Sequence, residues 1–146
     1  MKYDTEIVIN ASRSRVIELF DDSDNMKKWQ PDLISYTQQT GEEGEPGSTA
    51  KIVYRMGKRE MEMIETITVR NLPDEFSGIY KTDGVKNIME NFFEELDSDK
   101  TKWTTRNEFI SDKFALKLMM RFMPGVFKKQ TMKFMRDFKE FVEKSA

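Results

Sequence analysis

Residues 126–144 read VFKKQTMKFMRDFKEFVEK. Phe127, Phe134, Phe138, Phe141 and Val142 recur at helical spacing on one stripe, and Lys128, Lys129, Lys133, Arg136, Asp137 and Glu140 lie opposite. This is a long amphipathic helix, and it must lay its apolar stripe against another element. Just before it, Phe114, Leu116, Leu118, Met119 and Phe122 form a second apolar set. Asp112 is the expected cap of that segment, and Pro124-Gly125 is its expected break or kink.

The partner surface is upstream. Residues 101–110 put Trp103, Thr105, Asn107 and Phe109 on one face of a strand. Residues 85–96 are strand-like in two rival phases. One has Val85, Met89 and Phe93 alternating with Asn87 and Asn91, and the other has Ile88, Phe92 and Leu96. Residues 76–81 form a shorter strand. Residues 59–69 carry Met61, Met63, Ile67 and Val69 on one face, which Glu65 interrupts. Residues 49–56 carry Ala50, Ile52, Tyr54 and Met56 together, residues 33–39 form another strand, and residues 3–9 align Tyr3, Thr5, Ile7 and Ile9. The turns at Gly57-Lys58, 71–75, Asp83-Gly84 and 97–100 are short, so the strands they join are antiparallel neighbours. Residues 41–47, with three Gly and one Pro, form the clearest loop.

Two short helices follow the first strand. One covers residues 13–20, with Val16, Ile17, Leu19 and Phe20 as its stripe and Asn10 or Ser12 as its cap. The acidic run 21–25 leads into the other, which carries Met26 and Trp29 and ends before Pro31. The expected fold is α+β: a curved antiparallel sheet of six to seven strands wrapped around a long C-terminal helix, as one domain over residues 1–146. A sheet with one solvated face must cover the other, and only the long helix is large enough to do so. A bent sheet around one helix leaves a gap where side chains do not fill the space.

The formal net charge is −2, and the sequence holds no Cys and no His. That removes disulfides, thiolate chemistry and Ser-His-Asp catalysis, and it leaves only carboxylates for a metal. No cofactor and no metal site is expected. Residues 112–146 carry a net +5 against −7 for the remainder. The basic residues alternate with apolar ones, so they read as a solvated helix face and not as a nucleic-acid or membrane face. The first residues lack a signal-peptide pattern and no run approaches a membrane span, so a cytoplasmic location is expected.

Taken in order, the elements resemble the polyketide cyclase/dehydrase and lipid-transfer proteins of the START-like (SRPBCC) superfamily, whose helix-grip fold is shared with birch-pollen-type allergens. The resemblance rests on the opening strand followed by Asn10-Ala11-Ser12-Arg13-Ser14-Arg15-Val16-Ile17-Glu18-Leu19-Phe20. It rests further on Met26-Lys27-Lys28-Trp29-Gln30-Pro31, the Gly44-Glu45-Pro46-Gly47-Ser48 loop, Glu65 with Asn71-Leu72-Pro73-Asp74, Trp103 and the terminal helix. It implies a hydrophobic cavity between helix and sheet. It does not imply an enzyme, because this fold hosts carriers, sensors and catalysts alike.

The expected cavity wall combines Phe127, Phe134 and Phe138 with Tyr54, Met61, Met63, Met89 and Trp103. Any one of these also reads as plain core. Glu65 shares a face with Met63 and Ile67; if that face points inward, and the residue is not at a bulge, a carboxylate enters an apolar cavity. It either anchors a ligand's polar group or acts as acid/base. The alternative is a sheet edge, or an ion pair with Arg55 or Lys51. Asn87, Asn91, Thr105 and Asn107 form a second polar cluster, which a ligand or water-filled pocket would satisfy.

Three functions compete: binding or transport of a small hydrophobic, lipid-like or polycyclic ligand; a cyclase- or hydratase-type reaction using Glu65; and a membrane or partner role for the basic, Met- and Phe-rich C-terminal region. The first is favoured. The expected partner is a small hydrophobic ligand, with no nucleic acid and no membrane contact, because the helix's apolar face is needed for the core. Homodimerisation stays open.

Overall fold

The computed structural model describes residues 1–145. Seven strands form one antiparallel sheet: β1 (Lys2–Ile9), β2 (Leu33–Thr40), β3 (Thr49–Met56), β4 (Arg59–Asn71), β5 (Glu75–Thr82), β6 (Val85–Asp97) and β7 (Lys100–Ser111), in the order β1-β7-β6-β5-β4-β3-β2. Consecutive strands pair from β2 to β7, as short turns require, and β1 closes onto β7 across the helical insertion. That insertion holds α1 (Arg13–Phe20), a 3-10 turn (Ser23–Asn25) and α2 (Met26–Trp29). Ser12, and not Asn10, caps α1 by accepting from the Arg15 N–H at 3.3 Å. At the C-terminal end α3 (Phe114–Phe122) precedes α4 (Pro124–Lys144), with the break at Met123-Pro124. Asp112 does not cap α3. Lys113 holds the cap position without a side-chain bond, and its N–H donates to Ser111 Oγ at 3.1 Å.

The sheet register fixes which side chains meet α4. Phe93 lies opposite Trp103, Asn91 opposite Thr105, Met89 opposite Asn107 and Asn87 opposite Phe109. Phe93 and Trp103 are both buried, so the phase of β6 containing Asn87 and Asn91 faces inward. The rival set faces outward: Leu96 is exposed, and Phe92 lies beneath the Arg106 guanidinium.

The core sits where α4 crosses β1 and β7. Trp103, Phe138 and Met135 are fully buried, with Ile9, Val16 and Val142 beside them. Phe138 meets Trp103 edge-on at 5.2 Å and Trp29 at 5.0 Å, and Phe20 meets Phe93 at 5.0 Å. Edge-to-face pairs match ring quadrupoles and add about 0.5–1.5 kcal/mol each beyond the area they bury. α1 and α2 therefore clamp the C-terminal half of α4. Its N-terminal half is tied to β1, where Tyr3 Oη bonds Thr131 Oγ1 at 2.7 Å. α3 departs from expectation. None of its residues is buried, so the apolar set of 114–122 does not join the core.

Candidate functional site

Because α4 lies over β1 and β7, the concave face of β2 to β5 is only partly covered. Tyr36, Tyr54, Met61, Met63, Tyr80, Asn87 and Met89 all face inward and stay half-buried, above a buried floor of Ala50, Ile52, Glu65 and Ile67. These side chains make a partly accessible strip, the trough, along the inner face of the sheet. Gly78 lies between Phe76 and Tyr80 on the inward side of β5, opposite Ile67 and Met89. A Cβ there would meet the Thr66 carbonyl oxygen at 3.1 Å and the Tyr80 ring at 3.6 Å. The missing side chain lets the Tyr80 ring fold over β5.

Glu65 is the chemical centre of this trough. It is 6% exposed. Its Oε1 accepts from Tyr36 Oη at 2.8 Å and its Oε2 from Tyr80 Oη at 2.7 Å. Both tyrosines arrive through register: Tyr80 is the direct cross-strand partner of Glu65, and Tyr36 comes from β2 across Ile52 on β3. Neither expected cation serves Glu65. Lys51 and Arg55 lie on the opposite face of β3, where Lys51 pairs with Glu62 at 3.1 Å. Burial raises the Glu65 pKa above the ordinary carboxylate value, and the phenol donors oppose that rise only in part. The same burial, with the Glu65 charge beside them, pushes the Tyr36, Tyr54 and Tyr80 phenols up. They are donors at neutral pH. Tyr54 Oη donates to the buried Gln30 at 2.5 Å, fastening the α2–β2 connection to the trough.

Asn87, Asn107 and Thr105 bond to one another, and Asn91 stands apart from that chain. Asn87 donates to Asn107 Oδ1 at 3.2 Å, Asn107 to Thr105 Oγ1 at 3.1 Å, and Thr105 shares a proton with Thr5 at 2.6 Å. Thr5 also reaches Met135 Sδ at 3.2 Å, so this chain couples β6, β7, β1 and α4. Asn91 Oδ1 accepts from Trp103 Nε1 at 3.0 Å. Its Nδ2 makes no hydrogen bond among the described residues, yet no fully enclosed polar side-chain atom there lacks a partner. Asn91 as a whole is 3% exposed.

The site residues read from sequence divide into two groups. Asn91 is buried against Trp103, and Tyr54, Met61, Met63, Glu65, Asn87 and Met89 belong to the trough. Trp103, Thr105, Asn107 and Phe138 are buried and form its solid back, where Phe134 packs on Trp29 at 4.7 Å. Phe127 stands near the open end, 5.1 Å from Phe109. Tyr36, Tyr80, Gln30 and Gly78 were not singled out from sequence. Tyr36, Tyr80 and Gly78 hold inward strand positions, and only the register turns Tyr36 and Tyr80 into contacts of Glu65, whereas Gln30 lies between α2 and β2, where no strand pattern marks it. Two depressions, of about 440 and 400 Å³, lie away from this strip. One is on the outward face beside Glu6, Phe92 and Arg106, and the other is between α2 and α4 at Lys28 and Asp137. Among the described residues no cluster of acidic side chains could hold a metal ion.

No family model and no curated protein matches the chain. Solved structures do. A START superfamily protein from Mycobacterium smegmatis superposes with a TM-score of 0.81 at 11% identity, covering 99% of each chain. The Zhui aromatase/cyclase from Streptomyces sp. R1128 gives 0.82 at 10% identity, covering 98% of this chain and 93% of that one. Norcoclaurine synthase from Thalictrum flavum, solved with dopamine and hydroxybenzaldehyde, gives 0.74 at 10%, covering 100% and 88%. At these identities the likeness is one of fold: the chain has the helix-grip fold of START-like proteins.

Proposed function

We propose that this protein binds a small hydrophobic ligand in the trough between the sheet and α4, with Glu65 holding the ligand's polar end. One observation carries the reading. Glu65 is buried beside Ala50, Ile52 and Ile67, its two oxygens are met by phenols, and among the described residues no cation neutralises it. A carboxylate so placed costs free energy in the empty protein. A ligand that brings a hydrogen-bond donor to Glu65 offsets that cost. Half-buried Met61, Met63 and Met89 add polarisable wall that adapts to differing shapes. Asn87 and Tyr54 edge the opening, and Phe127, Phe134, Phe138 and Trp103 supply the aromatic back.

Native mass spectrometry of the protein purified from its own host is the direct test, joined to titration with Nile red followed by Trp fluorescence. A co-purifying organic molecule and saturable one-to-one probe binding are expected. Protein that is ligand-free and never saturates would overturn the reading.

A second reading draws on the same group. The raised Glu65 pKa suits a general acid/base, which works best with a pKa drawn toward the working pH. The two readings part at Glu65→Gln. A carrier changes affinity modestly, whereas a cyclase- or hydratase-type enzyme keeps its binding and loses turnover.

A further inference from the structure

We propose that α3 and the first turn of α4 form a docking surface for an anionic lipid bilayer. Phe114 is 76% exposed, Phe122 71%, Met123 55%, Val126 48%, Leu118 40% and Met119 39%. Phe114, Leu118 and Phe122 follow one another at i, i+4 and i+8, so they make one ridge along α3, with Met119 beside it. Leu116 and Met120, on another side of the helix, are the α3 residues that lose part of their surface to the rest of the protein. The helix is therefore seated by one edge and presents its most apolar ridge to solvent. A ridge of this kind on a helix held in place marks an interaction site.

The charge around the ridge selects the occupant. Between Lys113 and Lys129 stand Lys113, Lys117, Arg121, Lys128 and Lys129, with no Asp or Glu, for a net +5 in a chain whose total is −2. Lys113 is engaged by Asp83 at 2.9 Å and anchors α3 to the β5–β6 turn. Lys117 and Arg121 flank the ridge, and Arg121 lies over the Phe122 ring at 5.7 Å. Apolar side chains flanked by Lys and Arg match a headgroup layer above acyl chains. A second copy fits poorly, because a two-fold contact would set this cationic segment against itself. Among the described residues no helix is long and apolar enough to cross a membrane, so the contact is one of lying on the surface.

The sheet supports the same placement. The β3–β4 hairpin tip carries Arg55, Lys58 and Arg59 with Met56, which is 57% exposed. Through the pairings Met56 with Arg59, Thr82 with Val85, and Val85 with Ser111, this tip lies at the same end of the sheet as the start of α3. The trough residues Tyr54 and Met61 open toward that end as well. Docking does not depend on the ligand reading, since it uses none of the trough side chains.

Flotation with vesicles of phosphatidylcholine alone and of phosphatidylcholine with about one-third phosphatidylglycerol tests it, at low and high salt. The wild-type protein should partition at least about tenfold more onto the anionic vesicles and lose that gain as salt rises. Phe114→Ser with Phe122→Ser, and separately Lys117→Glu with Arg121→Glu, should each cut binding about tenfold while leaving the thermal midpoint unchanged. No binding to anionic vesicles overturns the proposal, as does binding that survives both double variants. A dimer that protects Phe114 and Phe122 overturns it in favour of a second copy.

Discussion

Tyr80 and Glu65 face each other across β5 and β4, and the Tyr80 hydroxyl donates to Glu65 Oε2 at 2.7 Å. The pair joins the sheet register to the electrostatics of the trough. Register alone brings the phenol to the carboxylate, and burial raises the pKa of both. Tyr36 mirrors Tyr80 from the other side, so the carboxylate is held between two donors and its position is defined before any ligand arrives.

The first prediction concerns pH. Glu65 has a raised pKa in the folded state, so the folded protein binds this proton more tightly than the unfolded chain does. Stability then falls as pH rises from the unfolded carboxylate value through the raised folded one, and below that window Glu65 costs nothing. Glu65→Gln removes this slope. Urea midpoints measured from about pH 4 to about pH 8 should show a wild-type decline attributable to Glu65 that the variant lacks. Tyr80→Phe removes one donor, raises the Glu65 pKa further and steepens the decline. Identical pH profiles for wild type and Glu65→Gln would show that the carboxylate is not desolvated.

The second prediction uses the space at Gly78. An alanine Cβ would stand 3.1 Å from the Thr66 carbonyl and touch the Tyr80 ring, so the ring must move from its place over β5. Gly78→Ala should weaken Nile red binding several-fold with a stability cost of about 1 kcal/mol. Gly78→Val, which is bulkier, should abolish binding. Unchanged affinity in both variants would place the probe elsewhere.

How much of this was readable in the chain depends on what each feature requires. The strand boundaries and the inward position of Glu65 follow from alternation, a property of neighbouring residues. The partners of Glu65 do not: Tyr36 and Tyr80 reach it only through the pairing of β2, β3, β4 and β5, which no local pattern encodes. The phase of β6 was undecided because its two faces are nearly equally apolar, and pairing of Phe93 with Trp103 resolves it. Met135, fully buried and bonded by Thr5, sits beside the Phe stripe and was not singled out. The exposure of α3 was hidden for a related reason: an apolar stripe has the same spacing whether or not anything covers it.

The third prediction isolates the Asn91–Trp103 bond. Both residues are buried, and the indole N–H has this one acceptor. Asn91→Ala strands the donor and should cost about 1–3 kcal/mol. Trp103→Phe removes the donor and also leaves a cavity. In the double variant the stranded-donor penalty disappears, so the two costs should sum to more than the double variant loses. A strictly additive pair in urea melts would remove this bond from the account of β6–β7 cohesion.

The fourth prediction sets the two ends of the C-terminal region against each other. Met135 is fully buried between Thr5 and the aromatic core, whereas Phe122 is 71% exposed on α3. Both belong to helices with strong apolar stripes, so propensity gives no reason to expect different outcomes; burial does. Met135→Ala removes packed atoms that the surrounding Ile9, Trp103 and Phe138 cannot fully replace, and about 2–5 kcal/mol should be lost. Phe122→Ala removes a larger side chain yet should change stability by less than about 0.5 kcal/mol, because its ring is already in water. If Phe122→Ala instead unfolds the protein as readily as Met135→Ala, then α3 packs against the body in solution. In that case its ridge is core and is not available to a bilayer. Thermal melts of the two single variants, read beside the vesicle measurements, separate a helix that holds the fold together from one that faces outward from it.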